Sequence, residues 1–210
     1  MNRSHNAIVV LVALIAFAIG LYFYNQQSAK TYSENTYVYE PARALSPFKL
    51  QDEQGKVFTN AELSGKWSFV FLGYLSCPDI CPMTMAKFSR LIPKMEMEVE
   101  EPTQILFLSV DPKRDSHTKI AKYTDYFHDN IVGLRAEHVD LFPFVRNLGL
   151  MYSIPGEEEK TGYYVDHSAS IVLLNPEGQI AAIFKPEVVL NQVPTVNMDT
   201  LLTDFQTIVR

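Results

Sequence analysis

The chain has 210 residues, of which 47% are hydrophobic and 20% are charged, and its formal net charge is −6. This length predicts one domain of ordinary size with a short appendage, and this composition is typical of globular rather than disordered chains. The negative net charge argues against a nucleic-acid partner, because affinity for phosphates depends largely on Lys and Arg.

The N-terminal region contains an apolar run from Ala7 to Tyr24, eighteen residues without a charge. As a helix, this run would be about 27 Å long, close to the thickness of the hydrocarbon core of a bilayer. Cleavage as a signal peptide is the alternative, but Gln27 would occupy the outer small position of the cleavage site. We therefore predict that residues 1–30 form a retained membrane anchor, a single transmembrane helix.

The charges beside the apolar run set the expected orientation. Arg3 precedes the run and Lys30 follows it, a bias that places the N-terminus in the cytoplasm. The expected location is a bacterial-type inner membrane, crossed once, with the domain on the outer, periplasmic side. Cysteines in that compartment meet oxidising conditions.

Residues 31–46 are polar, without clear periodicity, which predicts a tether before a domain at residues 47–210. The domain begins with a predicted hairpin over Phe48–Thr59 and a capped helical turn at Asn60–Leu63. The nearly unbroken apolar run Trp67–Tyr74 is typical of a central strand that is covered on both faces.

The remaining elements alternate between buried strands and helices. This order predicts an α/β domain with a central mixed sheet flanked by helices. The predicted elements are a helix that is capped by Ser76 or Cys77 and continues to Ile92, a strand at Gln104–Val110, a helix at Ser116–His128, a short strand at Val132–Leu134, a helix at Leu141–Leu148 interrupted by Pro143, a hairpin of Ser170–Leu174 and Gln179–Phe184, and a helix at Met198–Val209.

The two cysteines of the chain, Cys77 and Cys81, lie where the central strand ends and a helix is expected to begin. At positions i and i+4 of a helix their side-chain bases would be about 5 to 6 Å apart, wider than a disulfide requires. The two sulfurs would then converge on one metal ion, and the helix N-terminus would lower their pKa. The alternative is an inert disulfide closing a tight loop, which requires Cys77 to lie outside the helix.

A third ligand is expected at His167, which directly precedes an inner strand. A hydrogen-bonded core histidine is the alternative reading, and the other four histidines are predicted at the surface. Two thiolates and an imidazole suit copper in either oxidation state, whereas zinc stays open because three protein ligands plus water is its catalytic pattern. The adjacent Asp166 is expected to orient the site without contacting the metal.

Three ordered segments, Phe71–Pro82, Leu108–Asp115 and Val165–Ser168, resemble the successive signatures of the Sco (SenC) family. The resemblance runs from about Pro47 to the C-terminus. It departs from the family where Leu75-Ser76 replaces the more usual Thr-His or similar pair. An acidic stretch at 156–160 also has a counterpart in the family.

The resemblance implies a membrane-anchored copper chaperone with a thioredoxin-like fold, associated with assembly of the binuclear copper site of cytochrome c oxidase. It implies that Cys77, Cys81 and His167 bind Cu(I) or Cu(II). The implied partners are the copper-accepting subunit of the oxidase and other copper or thiol carriers.

Two enzymatic functions compete with the chaperone. One is a thiol-disulfide oxidoreductase that uses Cys77 and Cys81 as its redox-active pair to keep partner cysteines reduced. The other is a peroxidase in which Cys77 attacks peroxide and Cys81 resolves the product. Thioredoxin-like exchange uses two residues between the cysteines, whereas this chain has three, and a reductase has no need of His167. We therefore expect a binding and transfer protein rather than an enzyme.

Overall fold

The structure is a computed structural model that contains two compact units, Met1–Thr31 and Tyr32–Arg210. The first unit contains the helix α1 (Arg3–Gln26). Within the parts of the chain that the structure describes, no helix combines the length and the hydropathy that crossing a membrane requires. The described residues are 3–26, 30–153, 163–190 and 192–210.

The second unit is built on one sheet of eight strands. The strands are β1 (Thr36–Arg43), β2 (Leu50–Asp52), β3 (Val57–Phe58), β4 (Trp67–Gly73), β5 (Thr103–Ser109), β6 (Ile131–Arg135), β7 (Ile171–Leu174) and β8 (Ile180–Phe184).

The order of strands across the sheet is β1-β8-β7-β4-β5-β6-β2-β3. The neighbours β4, β5 and β6 are parallel, and the other pairs are antiparallel. Among the described residues of this unit, four α-helices accompany the sheet: α2 (Ile80–Glu96), α3 (His117–Asp125), α4 (His138–Asn147) and α5 (Met198–Val209). The predicted mixed sheet flanked by helices is therefore confirmed.

The unbroken apolar sequence of β4 follows from its burial on both faces. Phe69 and Phe71 point into one core with buried side chains of α2 and α5. Val70 and Leu72 point into a second core with buried side chains of α4. Successive side chains of a strand alternate between faces, so a strand covered on both sides needs apolar residues at every position.

The predicted tether at residues 31–46 is wrong over β1, which pairs with β8 as an edge strand of the sheet. An edge strand needs few apolar side chains, because most of its surface faces water. Its half-buried and exposed residues alternate irregularly, and Pro41 lies within it, so the sequence carries no clear period. Pro is tolerated there because an edge strand leaves some N–H groups unpaired.

The predicted break at Pro143 is also wrong, because α4 continues through this residue. Pro removes one helical hydrogen bond and crowds the preceding turn. The buried side chains of Leu141, Phe144 and Val145 hold this helix against the sheet. Tertiary packing therefore outweighs the local preference of one residue.

Candidate metal centre

The two cysteines lie in the connection from β4 to α2, and they differ in burial. Cys77 is in the loop and half-buried, whereas Cys81 is in the first turn of α2 with no exposed surface. Gly73, the last residue of β4, allows this close packing. A Cβ atom at this position would lie 3.2 Å from Sγ of Cys81 and 2.5 Å from a ring carbon of Phe107. The loop therefore needs glycine where it leaves the sheet.

The expectation that both cysteines share one helical face is wrong, because Asp79 caps α2 and Cys77 precedes the helix. The backbone N–H of Cys81 donates a hydrogen bond of 3.4 Å to Sγ of Cys77. Both thiols are free. The helical spacing therefore no longer argues against a disulfide, and the sulfurs are close enough to act together.

The predicted fall in thiol pKa does not hold for Cys81. Burial, followed by a hydrogen bond with the Cys77 side chain, raises the pKa of the Cys81 thiol. Loss of solvation in an apolar core opposes the charged thiolate more strongly than the helix N-terminus favours it. The Cys81 thiol is therefore protonated near neutral pH, and a metal ion that binds there must displace the proton.

His167 is held by an isolated β-bridge to Tyr152, just before β7. Its ring stands edge-on to the rings of Phe71 and Tyr74, at centroid distances of 6.5 and 6.0 Å. Nδ1 donates to the carbonyl of Ser168 at 3.1 Å, since a carbonyl only accepts. Burial lowers the pKa of the imidazole. The neutral ring thus leaves the lone pair of Nε2 available to a metal ion.

Cys77 and His167 line the same cavity, which has a volume of about 560 Å³. Asp166 also lines it, with an exposed side chain. Among the described residues, no three His, Cys, Asp or Glu side chains stand close enough together to hold a metal ion. The fold thus brings the predicted ligands to one region without placing all three at ligand distance. Binding a metal ion through all three would require these side chains to come closer together.

The expected part of Asp166 in orienting the site stays a prediction. The Nδ1 atom of His167 is bound by the Ser168 carbonyl rather than by Asp166. The carboxylate acts on the imidazole through charge, and it opposes the effect of burial on the pKa of His167. Orientation of the ring therefore comes mainly from the backbone.

His117, His128 and His138 do not line this cavity. These three predicted surface histidines are half-buried rather than fully exposed. Nδ1 of His138 forms a hydrogen bond of 2.8 Å with the hydroxyl of Tyr152. The side chain of His5 and the acidic stretch at 156–160 lie outside the described residues.

A cluster of polar contacts joins the segment before His167 to the turn after β5. Arg114 forms an ion pair with the buried Asp111 and donates to the carbonyl of Tyr163 at 2.9 Å. The hydroxyl of Tyr163 donates to Asp111 at 2.9 Å. The guanidinium carbon lies 3.6 Å from the centre of the Tyr163 ring and 5.6 Å from that of Tyr74. This cluster fixes where the His-bearing segment enters the site.

The same turn also supports the cysteine loop through Asp115. Its buried carboxylate accepts hydrogen bonds from the N–H of Leu75 at 3.0 Å and from the hydroxyl of Ser109 at 2.7 Å. Burial is the main cause that raises the pKa of Asp115. The sequence predicted only a turn here. The sequence did carry a signal: two acids and an arginine follow β5. Because β4 and β5 are parallel neighbours, these side chains lie at the same edge of the sheet as the cysteine loop.

Comparison with known proteins places these features in a family. The mouse "Protein SCO2 homolog, mitochondrial" is 36% identical over 132 residues, covering 62% of this chain and 52% of that protein. "Protein sco1" of Schizosaccharomyces pombe is 30% identical over 189 residues, covering 87% of this chain and 72% of that protein. The chain thus spans about half the length of the mammalian relatives it matches.

Solved structures show the same thioredoxin-like architecture. The crystal structure of Arabidopsis thaliana ScoI with copper bound has a TM-score of 0.67 and 29% identity, covering 80% of this chain and 99% of that one. Yeast Sco1 with copper bound has a TM-score of 0.66 and 29% identity, covering 77% and 86%. The model of the family described as SCO1/SenC matches residues 38–196, and the chain belongs to this family.

Proposed function

We propose that this chain is a copper chaperone that binds one copper ion through Cys77, Cys81 and His167 and supports assembly of the binuclear copper site of cytochrome c oxidase. The observation that carries the proposal is that Cys77 and His167 line one cavity, with Cys81 hydrogen-bonded to the Cys77 sulfur. Thiolates are soft ligands and imidazole suits copper, so the donor set favours copper over a hard cation. The copper-bound structures of relatives support the same choice.

The exposed rim of the cavity is suited to a protein partner. Val193 and Tyr164 line the cavity and are 64% and 70% exposed. Val188 and Leu190, in the same loop as Val193, are 84% and 87% exposed. Clustered apolar side chains in water mark an interaction surface. We assign this surface to the copper-accepting subunit of the oxidase and to carriers that exchange copper or thiols with this chain.

The proposal includes anchoring by residues 1–30 at a bacterial-type inner membrane, with the N-terminus cytoplasmic and the domain periplasmic. The charge-free run Ala7–Tyr24 and the continuous helix α1 support it. Asp166 is assigned a supporting role, because it adjoins His167 and lines the same cavity.

A thiol-disulfide oxidoreductase is the second candidate. The specific observation in its favour is that Cys77 lies outside α2, with its sulfur within 3.4 Å of the Cys81 backbone N–H. A loop cysteine before a helical cysteine can both bind copper and exchange disulfides. The two functions differ in their need for His167.

Copper stoichiometry tests the proposal. Residues 32–210, reduced without oxygen, are expected to bind one Cu(I) per chain, and to bind Cu(II) with a thiolate-to-copper absorption band. Zinc added in excess is not expected to displace the copper. Failure to bind copper, combined with reduction of insulin disulfides at a thioredoxin-like rate, would favour the oxidoreductase.

Arg114→Lys is expected to weaken Cu(II) binding about tenfold, or about 1.4 kcal/mol. Lysine keeps the charge beside Asp111 but loses the planar fork that also binds the Tyr163 carbonyl and stacks on its ring. The segment that carries His167 is then less well placed. Competition with a Cu(II) chelator measures the effect.

The matched control for this variant is Lys113→Gln, which changes an exposed neighbour in the same turn. Cu(I) affinity should fall less than Cu(II) affinity in Arg114→Lys, because two thiolates still hold Cu(I). Equal losses for both ions would show that Arg114 acts on general stability rather than on the histidine.

A further inference from the structure

Tyr123, on α3, carries a polar group that the fold leaves unused. Its hydroxyl oxygen is buried and has no hydrogen-bond partner among the described residues. Buried polar groups are nearly always paired, and an unpaired one destabilises the fold. The Tyr123 hydroxyl is therefore available to a hydrogen-bond acceptor that another state of the protein supplies.

The position of Tyr123 places this hydroxyl behind the cysteine loop. The Tyr123 ring packs on the Phe107 ring with centroids 5.2 Å apart. A Cβ atom on Gly73 would lie close both to the Phe107 ring and to Sγ of Cys81, so this ring and this sulfur are near each other. Tyr123 also lines a cleft with Leu75 and Pro82, which stand just before Cys77 and just after Cys81. None of these cleft residues lines the cavity of His167.

The electrostatic environment agrees with this placement. Burial, then the negative charge that Cys81 and Cys77 carry as thiolates, raises the pKa of the Tyr123 phenol. The hydroxyl thus keeps its proton at neutral pH and is able to donate it in a hydrogen bond. A neutral thiol is a weak acceptor, whereas a thiolate is a strong one. Copper binding converts the first into the second.

We propose that Tyr123 is a positioning residue whose hydroxyl donates a hydrogen bond to the Cys81 thiolate when copper is bound. This inference rests on the proposed function. The unpaired hydroxyl disfavours the metal-free protein slightly and favours the copper-bound one. The hydrogen bonding of the cysteine loop therefore depends, through Tyr123, on whether the ion is bound. Tyr123 acts on the side of the loop that His167 does not reach.

Tyr123→Phe in the full-length chain, purified in detergent, separates this role from a structural one. The metal-free variant is expected to unfold at the same temperature as the parent or slightly higher, because the ring stays and an unpaired hydroxyl is removed. Its Cu(I) affinity is expected to fall about tenfold. The thiolate-to-Cu(II) absorption band is expected to move to longer wavelength, because a thiolate without its hydrogen bond donates electrons more easily.

Tyr126→Phe is the matched control, since Tyr126 is on the same ring cluster but is 83% exposed. It should leave the unfolding temperature, the affinity and the band unchanged. If Tyr123→Phe lowers metal-free stability in step with copper affinity, or leaves the band in place, then the inference is overturned.

Titration with Ag(I) keeps the test independent of the copper proposal, because this soft cation binds thiolates whether or not copper is the natural cargo. A parent chain that binds Ag(I) but not copper contradicts the proposed function. In that case a tenfold weaker Ag(I) affinity in Tyr123→Phe still supports the hydrogen bond to Cys81, and an unchanged Ag(I) affinity overturns it.

Discussion

Cys77→Ser is expected to lower Cu(I) affinity at least a thousandfold, about 4 kcal/mol. A serine hydroxyl is a hard and nearly always protonated group, so it cannot replace a thiolate as a ligand for Cu(I). Cys77 is half-buried and lies in a loop, so the substitution should leave the fold intact. Competition with a Cu(I) chelator under anaerobic conditions measures the loss.

Cys81→Ser should abolish tight binding as well, but it also places a hydroxyl in a fully buried apolar position. We expect this variant to lose about 1 to 3 kcal/mol of stability in addition to copper. Ser76→Ala, next to Cys77 and exposed, is the control that keeps both sulfurs. Retention of parental Cu(I) affinity by Cys77→Ser would remove the thiolate pair from the site.

His167→Ala is expected to abolish the Cu(II)-thiolate spectrum and to reduce Cu(II) affinity about a hundredfold, about 2.7 kcal/mol. Cu(II) favours a nitrogen ligand beside the sulfurs, and the free Nε2 of His167 supplies it. Cu(I) affinity should fall only about tenfold, because two thiolates are sufficient for Cu(I). The spectrum and the two competition titrations give these numbers separately.

The control for His167→Ala is His128→Ala, which removes another half-buried imidazole outside the cavity. Its own hydrogen bond is local, from the N–H of Asn130 to Nδ1. Thermal unfolding of both metal-free variants should be compared, because loss of the His167 ring leaves space beside Phe71 and Tyr74. An unchanged Cu(II) spectrum in His167→Ala would show that this residue is not a ligand.

Much of the fold could be predicted because its central elements have strong local patterns. The strands β4 and β5 are covered on both faces, so their apolar runs are long. Such runs are compatible with few structures other than a buried strand. The edge strand β1 could not be predicted in this way, because its partner β8 lies far away in the sequence and most of its side chains need no burial. The start of α2 was also missed, since Pro78 and Asp79 fit several positions of a helical first turn.

The candidate site was predictable to the extent that rare residue types mark it. The two cysteines and one histidine before an inner strand were sufficient to select ligands. The supporting contacts of Arg114 with Tyr163 and of Asp115 with Leu75 join residues about 40 to 50 positions apart, so no local pattern reveals them. The raised pKa of Cys81 depends on how deeply α2 packs, which spacing alone does not give.

His167 is joined to the backbone around it by one isolated bridge, with fewer strand hydrogen bonds than the strand that leads to Cys81. Cys81 belongs to a helix that follows β4, a strand paired along its whole length with β5 and over residues 68–71 with β7. Free energies of local opening range from near zero to that of global unfolding, and a single bridge lies toward the low end of that range. Under the proposed function, the imidazole would therefore leave the ion first and the sulfurs last. The order of departure would then be set by the attachment of each ligand to the backbone, so an acceptor approaching from the histidine side would meet a copper ion still held by two sulfurs.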